Sequence, residues 1–252
     1  MARPTVIDAC AEQVWNEQQL AEPVRAPAWR IWTYREPAIV LGCSQRRLLA
    51  AARDDTDIAL LLRGSGGGAV LAGPWMLGLS VALPANHALA VSGVVASYRW
   101  LGELLATLLR EAGMAARALP AEAVRARAPP ASLAWSCFGG LSPWEVVAGD
   151  RKIAGLAQVR RRHGVLWVGG LLLDTPDWSL LCRPLGHGAD VVSALASVTT
   201  SWAQERGARP EARLVAAALE AQLQAALQQP ERSDPACATP THSSPSRVFA
   251  AA

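Results

Sequence analysis

The chain has 252 residues, 51% of them hydrophobic and 18% charged, a composition that supports one substantial core and excludes a wholly disordered chain. Its formal net charge of +3 is spread along the length, which leaves no electrostatic footprint for nucleic acid. Five irregularly spaced cysteines, Cys10, Cys43, Cys137, Cys182 and Cys237, suit neither a disulfide framework nor a zinc site and point to a reducing cytoplasm, and no segment has the apolar length of a signal peptide or a membrane span.

In chain order, residues 8–20 predict a short amphipathic helix that stops before Pro23. Residues 29–34 and 38–42 predict a strand pair around the turn signal Arg35-Glu36-Pro37, and residues 44–53 a helix with Ser44 as its cap. Residues 57–63 read as an apolar strand that runs into the glycine segment at 64–68, with further strands at 69–71 and 76–83. The clearest helix spans 92–112, where Trp100, Leu101, Leu104, Leu105, Leu108 and Leu109 recur at helical spacing and Gly113 supplies a stop. Residues 118–132 read as a polar connection or an irregular strand. Strands at 144–148, 151–157 and 165–173, with turns at Gly149-Asp150 and His163-Gly164, predict an antiparallel meander. Two more helices follow at 189–202 and 211–229, and residues 230–252 read as a disordered tail. Mixed rather than alternating elements indicate an α+β fold of mixed, largely antiparallel sheets packed with helices, in one domain of residues 1–229.

Lys and Arg total 24, yet Lys152 is the sole lysine. A compact ammonium and a planar guanidinium differ at a tight site, so Lys152 is a functional candidate on composition alone. It could hold a carboxylate, a phosphate or a developing oxyanion; the alternative is an exposed surface lysine. In Arg63-Gly64-Ser65-Gly66-Gly67-Gly68-Ala69-Val70, four glycines in five positions free backbone amides to face an anion or an acyl chain, with no demand from core packing. The Gly-Lys-Ser/Thr ending of a phosphate loop is missing and Ala69 breaks a dinucleotide fingerprint; a flexible turn is the plain alternative. Cys137 lies fifteen residues before Lys152 in a loop-like stretch, where a thiol beside a cation could form an acyl thioester, although a cysteine between aromatic residues is commonly just packed. His87, His163, His187 and His242 show no metal-ligand spacing, and no metal site is predicted. Arg160, Arg161 and Arg162 form the one tight cationic cluster, either a solvated strand end or a docking point for an acidic partner.

Three segments in order, Val40 with Leu41-Gly42-Cys43-Ser44-Gln45, the Arg63 glycine loop, and Gly149-Asp150-Arg151-Lys152-Ile153-Ala154-Gly155-Leu156-Ala157-Gln158, resemble the lipoate–protein ligase A family, which includes octanoyltransferases and is related in fold to biotin–protein ligases. The resemblance covers most of residues 29–185. It implies that Arg63, Ser65, Gly66, Gly67, Gly68, Ala69, Val70, Gly155 and Ala157 surround the acyl group or its adenylate, and that Lys152 is the family's catalytic lysine. Where the family usually carries a His-Asp or His-His pair after the glycine loop, this chain has Ala72 and Gly73, and a later family histidine is matched by Val168.

Two mechanisms follow from the resemblance. As a ligase, the protein would use ATP and magnesium to form a lipoyl-adenylate steadied by Lys152, for attack by a lysine of an apo lipoyl domain in a 2-oxoacid dehydrogenase or the glycine cleavage H protein. As an octanoyltransferase, it would take octanoyl from acyl carrier protein onto Cys137 and pass it to the same acceptors without a cofactor; Cys137-Phe138 matches a Cys-Phe pair of some family transferases. The ligase comes first from sequence, because the Arg63 loop suits an anionic adenylate. A non-catalytic binder of acyl groups or lipoyl domains is the rival of a different class, suggested by the missing histidines. No nucleic-acid or membrane partner is expected.

Overall fold

Nearly continuous runs of apolar and small residues at 76–84 and 164–172 pair along nine positions at the centre of the fold. The computed structural model describes residues 4–51, 57–127 and 131–228. In chain order these form β1 (Thr5–Ile7), α1 (Ala9–Ala21), β2 (Ala28–Tyr34), β3 (Ala38–Leu41), α2 (Arg47–Ala51), β4 (Ala59–Leu62), β5 (Val70–Ala72), β6 (Met76–Pro84), α3 (Ala88–Val91), α4 (Arg99–Glu111) and β7 (Ala116–Ala118). There follow α5 (Ala121–Arg125), β8 (Val146–Ala148), β9 (Arg151–Arg161), β10 (Gly164–Leu172), α6 (Ser179–Cys182), α7 (Ala189–Val198), α8 (Trp202–Arg206) and α9 (Ala212–Gln228). The expected tail lies outside the described residues.

A seven-stranded sheet runs β1-β2-β6-β10-β9-β8-β7, and a three-stranded sheet runs β4-β3-β5. The large sheet is antiparallel except for β1 beside β2, and the small one is mixed. One face of the large sheet, with Leu79, Val81, Leu156 and Trp167, packs on Leu101, Leu105 and Leu109 of α4 and Leu219 of α9. Trp32, Met76 and Leu172 face the opposite way and pack with Ile39 and Leu71 of the small sheet, Leu181 of α6 and Leu195 of α7. The expected α+β class and the β8-β9-β10 meander are both present.

Some local expectations are corrected. β2 and β3 do not pair: β3 is buried at every position and sits between β4 and β5, so Arg35-Glu36-Pro37 carries the chain from one sheet to the other. Ser44 caps nothing; it lies within a 3-10 turn over Cys43–Gln45, where the Gln45 side chain accepts the Gly42 N–H at 3.1 Å. The helix expected from residue 92 begins at Arg99, because Gly93 adopts a φ of 89° and a separate 3-10 turn occupies Ala96–Tyr98. Gly113, at φ 80°, ends it as expected. Residues 189–202 are not one helix either. The chain opens after Val198 so that the Thr200 N–H reaches the Lys152 carbonyl at 2.9 Å, and Ser201 then caps α8.

Trp144 is the one non-glycine residue at positive φ among those described, at 70°. Its carbonyl presses into α4 at Gly102, where a β-carbon would collide with it. The Gly102→Ala variant is therefore expected to lose about 1–3 kcal/mol in a urea unfolding experiment; unchanged stability would show that α4 does not hold this turn in place.

Candidate active site

Lys152 stands on β9 opposite Val147 of β8, and only 2% of the residue is exposed. An ammonium taken out of water needs a counter-charge and a full set of acceptors. Lys152 Nζ donates to Glu145 Oε2 at 2.6 Å, to the Cys137 carbonyl at 2.6 Å and to the Gly140 carbonyl at 3.0 Å, which commits all three of its donors. Glu145 is equally buried; Oε2 also accepts the Ser142 N–H at 2.7 Å and Oε1 the Leu156 N–H at 3.0 Å. The pair thus fastens the loop through 137–145 to the edge of β9.

The Cys137 loop is fastened on its other side to the glycine segment. Ala69 N–H donates to the Trp135 carbonyl at 2.8 Å, and Cys137 N–H donates back to the Ala69 carbonyl at 2.9 Å. Gly68 permits this approach: a β-carbon there would lie 2.5–2.7 Å from main-chain atoms of residues 135–137. Packing therefore does demand Gly68, contrary to the expectation from sequence. Gly155 of β9 faces the same loop less tightly: a β-carbon there would lie 3.3 Å from Lys152 Cε and 3.4 Å from Cys137 Sγ, both side-chain atoms. The loop through 135–140 thus joins Lys152 on one side to the glycine segment on the other through main-chain groups.

Arg63 borders the cavity but is engaged mostly by its own loop. Buried behind its own loop, it donates from Nη2 to the Gly66 carbonyl at 2.9 Å and the Gly68 carbonyl at 2.8 Å, and from Nη1 to the Val40 carbonyl at 3.3 Å. Most of its guanidinium holds the loop in shape. Ser65 Oγ is buried without a protein partner, and at Gly64 and Gly66 open space surrounds the backbone.

A cavity of about 190 Å³ lies between α1, the glycine loop and the strands β9 and β10. Of the expected site residues, Arg63, Ser65, Val70, Cys137, Gly155 and Ala157 border it, while Gly66, Gly67, Gly68, Ala69 and Lys152 do not. Ala72 and Val168, two of the three departures from the family's histidines, border it as small apolar surfaces, and Gly73 is covered by Trp75. A row of three glycines in register, Gly155, Gly170 and Gly78, crosses the sheet under this space. Cys137 Sγ lies over the first and Met76 Sδ over the second, with the Tyr34 hydroxyl over the third.

The polar side of the cavity comes from α1 and was missed from sequence. Glu12 is buried and accepts from the Tyr34 hydroxyl at 2.8 Å; desolvation raises its pKa from 4.5 to about 7, against smaller lowering contributions from Tyr34, Asn16 and Arg63. Asn16 Oδ1 has no protein partner. These residues, one helical turn apart, put polar groups on the buried face of α1, so no apolar stripe marks that face. Glu145 was missed as well; the available signal was an acid seven residues before the lone lysine.

The remaining candidates separate from the site. His87 caps α3, and burial lowers its pKa. His187 stacks on Trp135 with ring centroids 3.9 Å apart, and burial lowers its pKa too. Arg160 hydrogen-bonds the Ala90 carbonyl, whereas Arg161 borders the cavity, so the arginine cluster is divided between two faces of a strand. Among the described residues, no group of three His, Cys, Asp or Glu could hold a metal ion, and no helix is long and apolar enough to cross a membrane.

This sheet arrangement is the fold of lipoate–protein ligases. A lipoate–protein ligase A bound with ATP superposes with a TM-score of 0.61 over 89% of this chain and 83% of that one, at 17% identity. The bi-partite lipoate protein ligase of Thermoplasma acidophilum gives 0.63 over 92% and 84%, at 16% identity. The family model of the lipoyl protein ligase A/B catalytic domain matches residues 9–224, and the chain belongs to that family. Octanoyltransferase LipM of Symbiobacterium thermophilum is 31% identical over 201 residues, 72% of each protein. LipM of Exiguobacterium sp. is 33% identical over 157 residues, 60% of this chain but 56% of the relative, so that match spans little more than half of the relative's length.

The raised pKa of Glu12 has a stability consequence. A carboxyl held neutral in the fold but free to ionise once unfolded contributes fully below its unfolded value of 4.5, and the contribution is lost as pH rises toward about 7. Between pH 5 and pH 8 the Glu12→Gln variant should therefore gain on the wild type by on the order of 3 kcal/mol. Unfolding curves at intervals across that range test this, and parallel profiles for the two proteins would show that Glu12 is not held neutral.

Proposed function

We propose that this protein is an octanoyltransferase that works through a thioester on Cys137. The observation that carries the reading is the placement of Cys137 Sγ at the cavity surface over Gly155, next to a buried lysine whose three donors are already occupied. The names of the LipM relatives support it. The ATP-dependent ligase, placed first on sequence, relied on Arg63 and Lys152 to meet an anionic adenylate; both cations are instead turned to protein oxygens.

In the first half-reaction, the Cys137 thiolate attacks the carbonyl carbon of an octanoyl thioester on a carrier protein, and the carrier's thiol departs with the proton that Cys137 gave up. In the second, the neutral amine of an acceptor lysine on an apo lipoyl domain attacks the Cys137 thioester. The C–S bond breaks as the amide forms, and the amine proton returns to the thiol. The octanoyl chain lies in the cavity against Val70, Ala157 and Val168. Ser65 Oγ is the buried free hydroxyl at the cavity surface that can donate to the carbonyl oxygen. Lys152 fixes the position of Cys137 by holding its main-chain carbonyl. Candidate acceptors are the lipoyl domains of 2-oxoacid dehydrogenases and the glycine cleavage H protein. Neither ATP nor magnesium enters this scheme.

Intact mass measurement separates the readings. Incubated with octanoyl carrier protein, the enzyme should gain one octanoyl group, lost in Cys137→Ser, and apo lipoyl domain should then become octanoylated without ATP. Lys152→Arg should slow the overall transfer by at least about tenfold. Acceptor modification that requires ATP and free octanoate or lipoate would reinstate the ligase, and no modification under either condition would favour a binding protein.

A further inference from the structure

Three groups converge over Gly155. The point that a β-carbon on Gly155 would occupy lies 3.4 Å from Cys137 Sγ, 3.3 Å from Lys152 Cε and 3.6 Å from Glu145 Oε1. Two of the three are the thiol and the cation that a thioester mechanism calls for. The third is a buried carboxylate that such a mechanism does not obviously need. An ammonium beside a thiol favours the thiolate, but Glu145 Oε2 meets the same ammonium at 2.6 Å and offsets its charge.

The main chain before Glu145 shows that the carboxylate is held there at a cost. Trp144 adopts the left-handed region, which is unfavourable by about 1–2 kcal/mol for a residue with a β-carbon. It is kept there by its N–H to the Leu119 carbonyl at 2.6 Å, by the Leu119 N–H to the Glu145 carbonyl at 3.0 Å, and by the gap at Gly102. Arg99 lies over the Trp144 ring with its guanidinium carbon 5.5 Å from the centroid. Strain of this kind, in the residue adjoining a buried acid, is found where a side chain must be aimed.

We propose that Glu145 is a positioning residue that tempers the Lys152 ammonium, and thereby sets how readily Cys137 becomes and remains a thiolate. A thiolate stabilised by an unopposed ammonium forms easily but attacks weakly and leaves readily, whereas the two half-reactions require one sulfur to be both nucleophile and leaving group. Glu145 supplies the counterweight from a fixed geometry. The other ionisable groups around the site are Arg63, tied to loop carbonyls, Glu12, Glu17, Tyr34 and Arg161 along the cavity, and Tyr98 at the head of α4, whose phenol burial and the Glu145 charge hold in the neutral form. Of the groups that carry or can carry charge here, only Glu145 bonds to Lys152 Nζ.

This inference rests on Cys137 being the nucleophile, but its test uses no acyl donor, so it can fail separately from the transferase reading. The rate of iodoacetamide labelling at Cys137 is followed peptide by peptide across pH 5–9 in the full chain, with exposed Cys10 and Cys43 as internal references. Glu145→Gln should label about threefold faster at pH 7, the gain in thiolate being partly offset by its weaker attack, with its profile displaced by about one unit toward lower pH. Cys10 and Cys43 should be unaffected, and circular dichroism should report an intact fold. If Glu145→Gln does not fold, Glu145→Asp takes its place: the shorter side chain withdraws its carboxylate from Lys152 Nζ, and the Cys137 profile should again move toward lower pH. A profile that stays in place, or moves toward higher pH, in the folded variant overturns the proposal.

Discussion

The site depends on one requirement: a lysine buried to 2% exposure must be paired and fully hydrogen-bonded. Two of the acceptors that meet this requirement are main-chain carbonyls, of Cys137 and Gly140, so satisfying the ammonium also fixes the loop that bears the thiol. Glu145, the third acceptor, is fixed in turn by main-chain N–H groups of Ser142 and Leu156. Removing one partner from such a pair leaves an uncompensated buried charge, which is far more costly than never having built the pair. The arrangement is therefore stiff, and the position of Cys137 Sγ is inherited from the position of β9.

Around that fixed centre the space is made by absent side chains. Gly68 lets two loops bond at main-chain distance, and Gly155, Gly170 and Gly78 clear a row across three strands in register. These are different uses of glycine from the one its clustering suggests: Gly170 and Gly78 sit inside strands, where the cost in chain entropy is accepted for close approach. The cavity is bordered by apolar residues of β9 and β10, while its polar groups come mainly from α1 and the glycine loop, with Tyr34 and Arg161. That division suits a ligand with an apolar chain and a polar head.

Much of this was legible in the sequence where the signal is local. The α4 stripe and the β8-β9-β10 meander follow from periodicity and turn chemistry, and composition alone singles out Lys152, which is buried and fully hydrogen-bonded. What could not be read is non-local. The partners of β2 and β3 depend on which sheet each strand joins, and the turn between them is compatible with either outcome. The break between α7 and α8 exists because Thr200 N–H bonds the Lys152 carbonyl, a contact some fifty residues away in the chain. Glu12 and Glu145 are buried acids, and a sequence pattern that equates polar with exposed assigns both to the surface. Arg63 was recognised as important but assigned to a ligand, because its competing acceptors are the carbonyls of its own loop.

The sole lysine of an arginine-rich chain can now be given a geometric reason. Three acceptors converge on a single nitrogen at 2.6, 2.6 and 3.0 Å, from a carboxylate and two carbonyls of one loop. A tetrahedral ammonium directs three N–H bonds from one atom and meets all of them. A guanidinium spreads its donors over three nitrogens in a plane, and would need the acceptors farther apart and the space beside Gly155 enlarged. Elsewhere Arg63 shows the contrasting case: its acceptors, Val40, Gly66 and Gly68, are distributed over two segments, and the planar group spans them. Each cation in the site thus matches the shape of the oxygen set it holds, which is why exchange between them is not conservative at residue 152.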